Sequence, residues 1–138
     1  MAIMVLTAAY CSIAGGIGSI HDHANKVELA IQVEDKEVTT YASAGWKERL
    51  GGLKEGTLGL SLFNDIAAGN LDQNFWTNLG SVLAFEVRLT QSARSTANPG
   101  YIGNILVKEW KPIQGSVGDV ATVDVSFPTS AAVTRSTS

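Results

Sequence analysis

The sequence predicts a mainly β protein: an antiparallel β-sandwich or barrel of six or seven strands, with one short flanking helix at about 71–79 and extended terminal arms. Apolar and polar residues alternate in several stretches, which is the period of a half-buried strand. Turn residues separate these stretches at fairly even spacing, and the 14 glycines and 3 prolines suit a chain with many turns. One stretch has the helical period instead. This combination favours an antiparallel sandwich or barrel.

Length, composition and charge indicate one globular domain that spans residues 1–138. The hydrophobic share of 45% and charged share of 17% are ordinary for a chain that buries a core. The net charge of −3 argues against a dedicated nucleic-acid binder, which usually carries a basic excess. No run approaches the roughly 18 apolar residues of a membrane span, so we expect no membrane partner.

The alternation predicts strands in six segments of the chain, at 5–13, 26–34, 57–63, 81–90, 101–111 and 120–127. The segment 26–34 has the clearest alternation, and β-favouring residues continue it to Tyr41 as a long ribbon. The tail at 129–138 is mostly Ser, Thr and Ala. We expect it to be an extended C-terminal arm that is disordered unless a neighbouring molecule captures it.

A short helix is predicted between Asn70, a suitable N-cap, and Gly80, a suitable C-terminal stop. Its apolar residues fall on one helical face and are Leu71, Phe75, Trp76 and Leu79. We expect both aromatic residues to pack in the core rather than to form a binding site.

The stretch at 45–64 joins a charged loop directly to a core strand. It begins with one large ring and two cations, Trp46, Lys47 and Arg49. Gly51 and Gly52 then interrupt it, and leucines alternate from Leu58 onward. A glycine-jointed arm of this kind indicates either a lid over a site or a contact with another subunit, and the residues themselves fit both.

The sequence predicts no catalytic residue, no metal and no cofactor, and so a protein that is not an enzyme. His21 and His23 would point the same way on an extended chain, but no cluster of Cys or His supplies further metal ligands. Polar residues of a corner are the simpler interpretation. The single cysteine, Cys11, is expected to be a small buried residue. The acidic residues Glu34, Asp35 and Glu37 are expected to form a solvated strand edge.

Several features follow one another in an order that is typical of a known family. An acidic strand ends in Val38-Thr39-Thr40-Tyr41, a loop follows, and a strand then begins with Gly52-Leu53-Lys54. A corner at 22–29 precedes them, and the Phe75-Trp76 helix and the stretch 115–119 before the final strand follow. In this order the chain resembles, over nearly its whole length, the tail tube proteins of long-tailed bacteriophages.

The resemblance implies a virion structural protein with a β-sandwich or barrel and one flanking helix. Subunits of the family form rings, commonly hexameric, that stack into a tube through which the genome passes. The loop at 42–54 would then bridge neighbouring subunits or rings. Together with the residue types that anchor interfaces, this predicts subunit contacts through Trp46, Lys47, Arg49, Leu50, Leu53 and Arg135. The candidate lumen face, which would repel DNA, comprises Glu28, Gln32 and Glu34.

Fold does not fix role, so alternatives stay open. The same fold serves in capsid decoration proteins, which would sit as a small oligomer, for example a trimer, on the shell of major capsid protein. In either role the partners are copies of this chain and other virion proteins, with no adhesive contact to DNA. Trp46 and Arg49 would otherwise pack on their own subunit, and the acidic face would simply be solvated. A hydrolase or carbohydrate-binding module would need a cleft lined with rings and carboxylates, and most of the three Trp and three Tyr fall at core-like positions.

Overall fold

The computed structural model describes residues 3–65 and 71–138, and the predicted N-cap Asn70 lies outside them. In these two ranges the chain forms eight strands, one α-helix and one 3₁₀ turn. The strands are β1 (Tyr10–Ile13), β2 (Gly18–Ser19), β3 (Ala24–Glu37), β4 (Arg49–Phe63), β5 (Val82–Arg88), β6 (Gly100–Leu106), β7 (Thr122–Pro128) and β8 (Thr134–Ser136). The helix α1 is Leu71–Thr77 and the turn is Tyr41–Ser43. No helix in the described ranges is long and apolar enough to cross a membrane.

Two antiparallel sheets make up the protein, and in the described part of the chain they do not close into a barrel. One sheet has five strands in the order β2-β1-β5-β6-β8, and the other has three in the order β3-β4-β7. A single buried cluster joins them, with Ile13, Phe85 and Ile105 from the first sheet and Leu58, Leu60 and Val125 from the second. The predicted mainly β fold with one short helix is therefore confirmed, as a sandwich. Of the eight strands, β2 and β8 were not predicted.

The helix packs on the core through Phe75. The Phe75 ring stacks on Trp110 at 4.4 Å between centroids and lies 5.8 Å from Phe127. The Trp110 indole N–H donates to a carboxylate oxygen of Asp72 at 2.9 Å, which ties the segment after β6 to the helix. Trp76, predicted to be in the core, is 63% exposed. That prediction was wrong because a seven-residue helix buries a narrow stripe, and consecutive residues point about 100° apart.

Two predicted strands begin more than two residues away from their predicted start. The first strand starts at Tyr10 rather than at residue 5, and residues 5–8 are exposed and have no strand pairing. The strand predicted at 57–63 begins at Arg49, so the latter part of the predicted loop at 42–54 is strand. The glycine pair does not break it, and β4 stays paired with β3 on both sides of the pair. A Cβ on Gly51 would approach Val33 Cγ1 to 3.0 Å, so a side chain there would have little room. The pair lies at a register shift opposite Val33–Asp35, where β4 has one residue more than β3, and glycine is common at such irregularities.

The C-terminal tail is held by its own subunit, in contrast to the predicted free arm. Thr129 exchanges two hydrogen bonds with Gly56 of the three-stranded sheet: its N–H donates to the carbonyl at 2.9 Å, and its hydroxyl accepts from Gly56 N–H at 3.0 Å. The next residue, Ser130, donates to the Asn104 carbonyl of the other sheet at 2.9 Å. The chain thus crosses between the sheets, and β8 then pairs with β6.

Candidate assembly surfaces

The hairpin of β3 and β4 extends beyond the core, and we call residues 31–55 the arm. Every residue of the arm is exposed except Ser43 at the tip. In the arm the two strands pair only with each other within the described chain, from Ile31 opposite Gly56 to Glu37 opposite Arg49. An isolated two-stranded hairpin is marginally stable in water, so a neighbouring surface would stabilise the arm.

The tip of the arm has a defined turn. Ser43 organises it: its hydroxyl accepts from Thr40 N–H at 3.1 Å, and its carbonyl accepts from Trp46 N–H at 3.0 Å. Ala44 has the left-handed backbone conformation, with φ of 51°, that the turn requires. As a result Tyr41 and Trp46 project into solvent on a fixed backbone, with Trp46 78% exposed.

Five of the six residues predicted to contact other subunits lie together on the arm. The apolar ones have no cover within the subunit: Trp46 and Leu53 are each 78% exposed, and Leu50 is 62% exposed. Lys47 is exposed at the tip. Arg49 pairs with Asp35, but both side chains stay about half exposed, and such pairs contribute little to stability. The sixth residue, Arg135, lies on β8 opposite Tyr101, in the other sheet.

The apolar stripe of the core continues into the arm. On β3, Leu29 lies opposite the buried Leu58, and the next two residues on the same face, Ile31 and Val33, are about half exposed. Ile31 lines an open groove with Val87 and Tyr101 of the five-stranded sheet, which therefore covers it only in part. Apolar surface that continues past a core in this way is typical of a surface that another protein covers.

An open apolar groove lies at the root of the arm. It has a volume of about 360 Å³. Its lining comes from β3, from the ends of β5 and β6 and from the N-terminal segment, and includes Val27, Leu29, Val87, Leu89, Tyr101 and Leu6. The groove therefore joins the exposed stripe of the arm to the gap between the two sheets.

The three residues of the predicted lumen face lie together on the outer face of the three-stranded sheet. Alternation along β3 places Glu28, Gln32 and Glu34 on the side opposite the core, and all three are exposed. The face also carries Lys26, Lys36, Glu55 and Asp124, so carboxylates outnumber lysines on these strands. Lys26 and Lys36 lie 3.7 Å from the carboxylates of Glu28 and Glu34, respectively. The role of this outer face in an assembly stays a prediction.

The two edges of the three-stranded sheet differ. Along β3, no strand in the described chain pairs with the outer edge. Along β7, the outward N–H groups of Asp124 and Ser126 donate to side chains, Gln114 Oε1 at 3.0 Å and Glu109 Oε1 at 3.1 Å. Sequence reasoning missed Glu109 and Gln114. These contacts join residues 10 and 17 positions apart in the sequence, so no periodic pattern predicts them.

The two histidines contact different partners. His23 lies with its ring nitrogens 2.9 Å and 3.2 Å from the carboxylates of Asp22 and Asp65, while the His21 ring packs 5.3 Å from Tyr10. Over the described ranges no group of three or more His, Cys, Asp or Glu side chains is placed to hold a metal ion. Cys11 is fully buried as predicted, and burial raises the pKa of its thiol to about 12. Such a thiol is a poor nucleophile.

Comparison with known proteins identifies the fold. No protein-family model and no curated protein matches the chain. Among solved structures, a chain in the virion of a native gene transfer agent particle matches with a TM-score of 0.74 and 16% identity, over 93% of this chain and 95% of that one. A chain in the tail of an empty gene transfer agent particle, a tail with C6 symmetry, matches with a TM-score of 0.67 and 17% identity, over 92% of both chains. The fold is thus one found in virion and tail proteins, which supports the resemblance seen in the sequence.

Proposed function

We propose that the protein is a structural component of a phage-like virion, and specifically a subunit of its tail tube. The observation that carries this proposal is the match, over nearly the whole of both chains, to a chain in a tail with C6 symmetry. The arm is a separate argument for assembly, because its large apolar side chains are exposed in the single subunit. In this role the chain works by docking against copies of itself and other virion proteins, without catalysis.

The arm and the sheet edges suit assembly into a ring. The surfaces available for contact differ from one another, and contacts between unlike surfaces generate rings when the rotation closes. Covering Trp46, Leu50 and Leu53 on a neighbour would contribute about 1.5–3 kcal/mol for each large side chain that becomes buried. Association itself costs about 4–15 kcal/mol, so the arm needs further contacts beside it. The apolar groove at its root and the open edge of β3 are adjacent candidates.

The outer face of the three-stranded sheet suits the wall of a DNA conduit. It is polar, and its carboxylates outnumber its lysines. An acidic wall repels phosphates and lets DNA pass without adhering. We therefore assign Glu28, Gln32 and Glu34 to the lumen of the tube.

The second candidate is a capsid decoration protein bound to the major capsid protein shell. A virion includes both shell and tail, so the match to a chain in a virion fits this role as well as the tube. Such a protein would form a small closed oligomer, for example a trimer. Its arm and its exposed N-terminal segment would contact neighbouring subunits of the shell.

Electron microscopy of the purified protein and of particles that contain it tests the proposal. The tail tube predicts sixfold rings that stack into tubes. Isolated closed trimers on a shell would favour the decoration protein instead. A chain that remains monomeric under all assembly conditions and is absent from particles would contradict both.

A further inference from the structure

The edge of β7 is covered by side chains rather than by another strand. Edge strands present unpaired N–H and C=O groups, and proteins protect such edges against unwanted pairing. Here the N–H groups of Asp124 and Ser126 point away from β4, and each donates to one side-chain oxygen. These are the donors that an added strand would use. Gln114 and Glu109 thus occupy hydrogen-bonding positions that a strand would otherwise take.

Both covering side chains are held in place. Glu109 lies between two buried residues, Val107 and Trp110, which fix the local backbone to the core. Gln114 binds Asp124 twice, since its oxygen accepts from the backbone N–H and its Nε2 donates to the Asp124 carboxylate at 3.3 Å. The same carboxylate accepts from the Ser61 hydroxyl at 2.6 Å. Asp124 therefore bonds Gln114 on one side and Ser61 of β4 on the other.

At the opposite edge of the same sheet, the contacts of the described residues place no side chain on an outward N–H group. The outer edge of β3 has no strand partner in the described chain and is 14 residues long. A second copy of the chain therefore supplies the unpaired edge strand that β7 would accept. If both edges were open, free subunits would join edge to edge at any contact.

We propose that Glu109 and Gln114 guard the β7 edge of the free subunit, and that a strand from a second copy must displace them in order to pair there. The proposal rests on the proposed function in taking a second copy as the partner. The guard keeps unassembled chains apart while leaving the arm exposed for a first contact.

Removing the guard tests the proposal. In the full chain, we call Glu109→Ala with Gln114→Ala the guard-free variant. It should lower the concentration for half-maximal self-association on the order of tenfold, since the net contribution of a hydrogen bond changes an equilibrium constant by about that factor. The control, Gln91→Ala with Asp119→Ala, removes one amide and one carboxylate from exposed loop positions and should behave as the wild type. Sedimentation velocity over a concentration series measures both. A folded guard-free variant that associates no more than the control would overturn the proposal.

A third change asks whether the added association uses this edge. Ser126→Pro in the guard-free variant removes one outward N–H and should return association to the level of the control. Circular dichroism and thermal unfolding verify that each variant is folded. Association that persists unchanged in the folded proline variant would show that another surface is responsible.

Hydrogen exchange in the unaltered protein tests the guard without any variant. The amides of Asp124 and Ser126 in the monomer should exchange more slowly than amides of the exposed loop around Val117. Exchange at the unprotected rate would mean that the guard is not formed. The proposed function can fail separately: wild-type protein that forms no rings, while the guard-free variant associates through Ser126, would support the guard and reject the tube.

Discussion

Two neighbouring aromatic residues on α1 have opposite surroundings. Phe75 is fully buried and stacks on Trp110, whereas Trp76 is 63% exposed. The sequence predicted the helix because its apolar positions have the right period. It did not predict that Trp76 would be exposed, although Trp76 lies at the margin of the apolar face and Phe75 lies nearer its centre. At the scale of single residues, burial depends on how few turns the helix has and on what packs against it.

Replacement of the two rings should therefore give different stabilities. Phe75→Ala removes a ring from the core and should lower the free energy of unfolding by about 3–5 kcal/mol. Trp76→Ala changes an exposed position and should alter it by no more than about 0.5 kcal/mol. Denaturant unfolding followed by circular dichroism measures both variants. Equal losses for the two would contradict the placement of the helix.

At the scale of elements, regular alternation was enough to predict the parts of β3 and β4 that cover the core. The sequence also predicted that β3 continues beyond the core, but it did not predict the part of β4 that lies in the arm. Leu50 and Leu53 flank Gly51 and Gly52, so the period is interrupted where the strand continues, and the register shift that accommodates this depends on the partner strand. The cover on β7 was missed for a related reason: Glu109 and Gln114 act on backbone groups that come together only in the folded chain.

The arm should contribute to assembly and little to folding. Trp46→Ala with Arg49→Ala removes an exposed ring and one partner of an exposed ion pair, so the free energy of unfolding should change by no more than about 0.5 kcal/mol. Ring formation should weaken at least tenfold, because buried Trp and Arg anchors each contribute about 2 kcal/mol or more at interfaces. Trp76→Ala, which removes an exposed tryptophan outside the arm, is the matched control. Undiminished assembly of the double variant, measured by sedimentation and electron microscopy, would show that the arm is not an interface.

At the scale of the whole molecule, the sandwich separates two kinds of surface. Both sheets pack their inner faces on the shared core, and the outer face of the three-stranded sheet is polar and predominantly acidic. The fold class followed from the sequence because alternation specifies which face of a strand is buried. The direction in which the outer face points within an assembly depends on neighbouring copies, which no pattern within one chain encodes.

Reversing the charge of the outer face tests its assignment to the lumen. Glu28→Lys, Gln32→Lys and Glu34→Lys change exposed positions and should leave the subunit folded. Tubes assembled from this variant should retain DNA at low salt, and the retained DNA should resist nuclease, because the added lysines bind phosphates inside the wall. Asp119→Lys with Gln91→Lys places lysines elsewhere and is the control. Retained DNA that nuclease degrades fully would place the face on the outside.

The crossing of the chain at Thr129 makes completion of the five-stranded sheet depend on the C-terminal segment. β3 and β4 are adjacent in sequence and pair through local contacts, which form quickly. β7 pairs with β4 although α1, β5 and β6 lie between them in the chain, and β8 reaches β6 after the chain has passed from one sheet to the other. β8 is the last of the described strands to be synthesised, so we expect it to dock last. Until it does, β6 has an unpaired edge, and a newly synthesised chain is most vulnerable to aggregation.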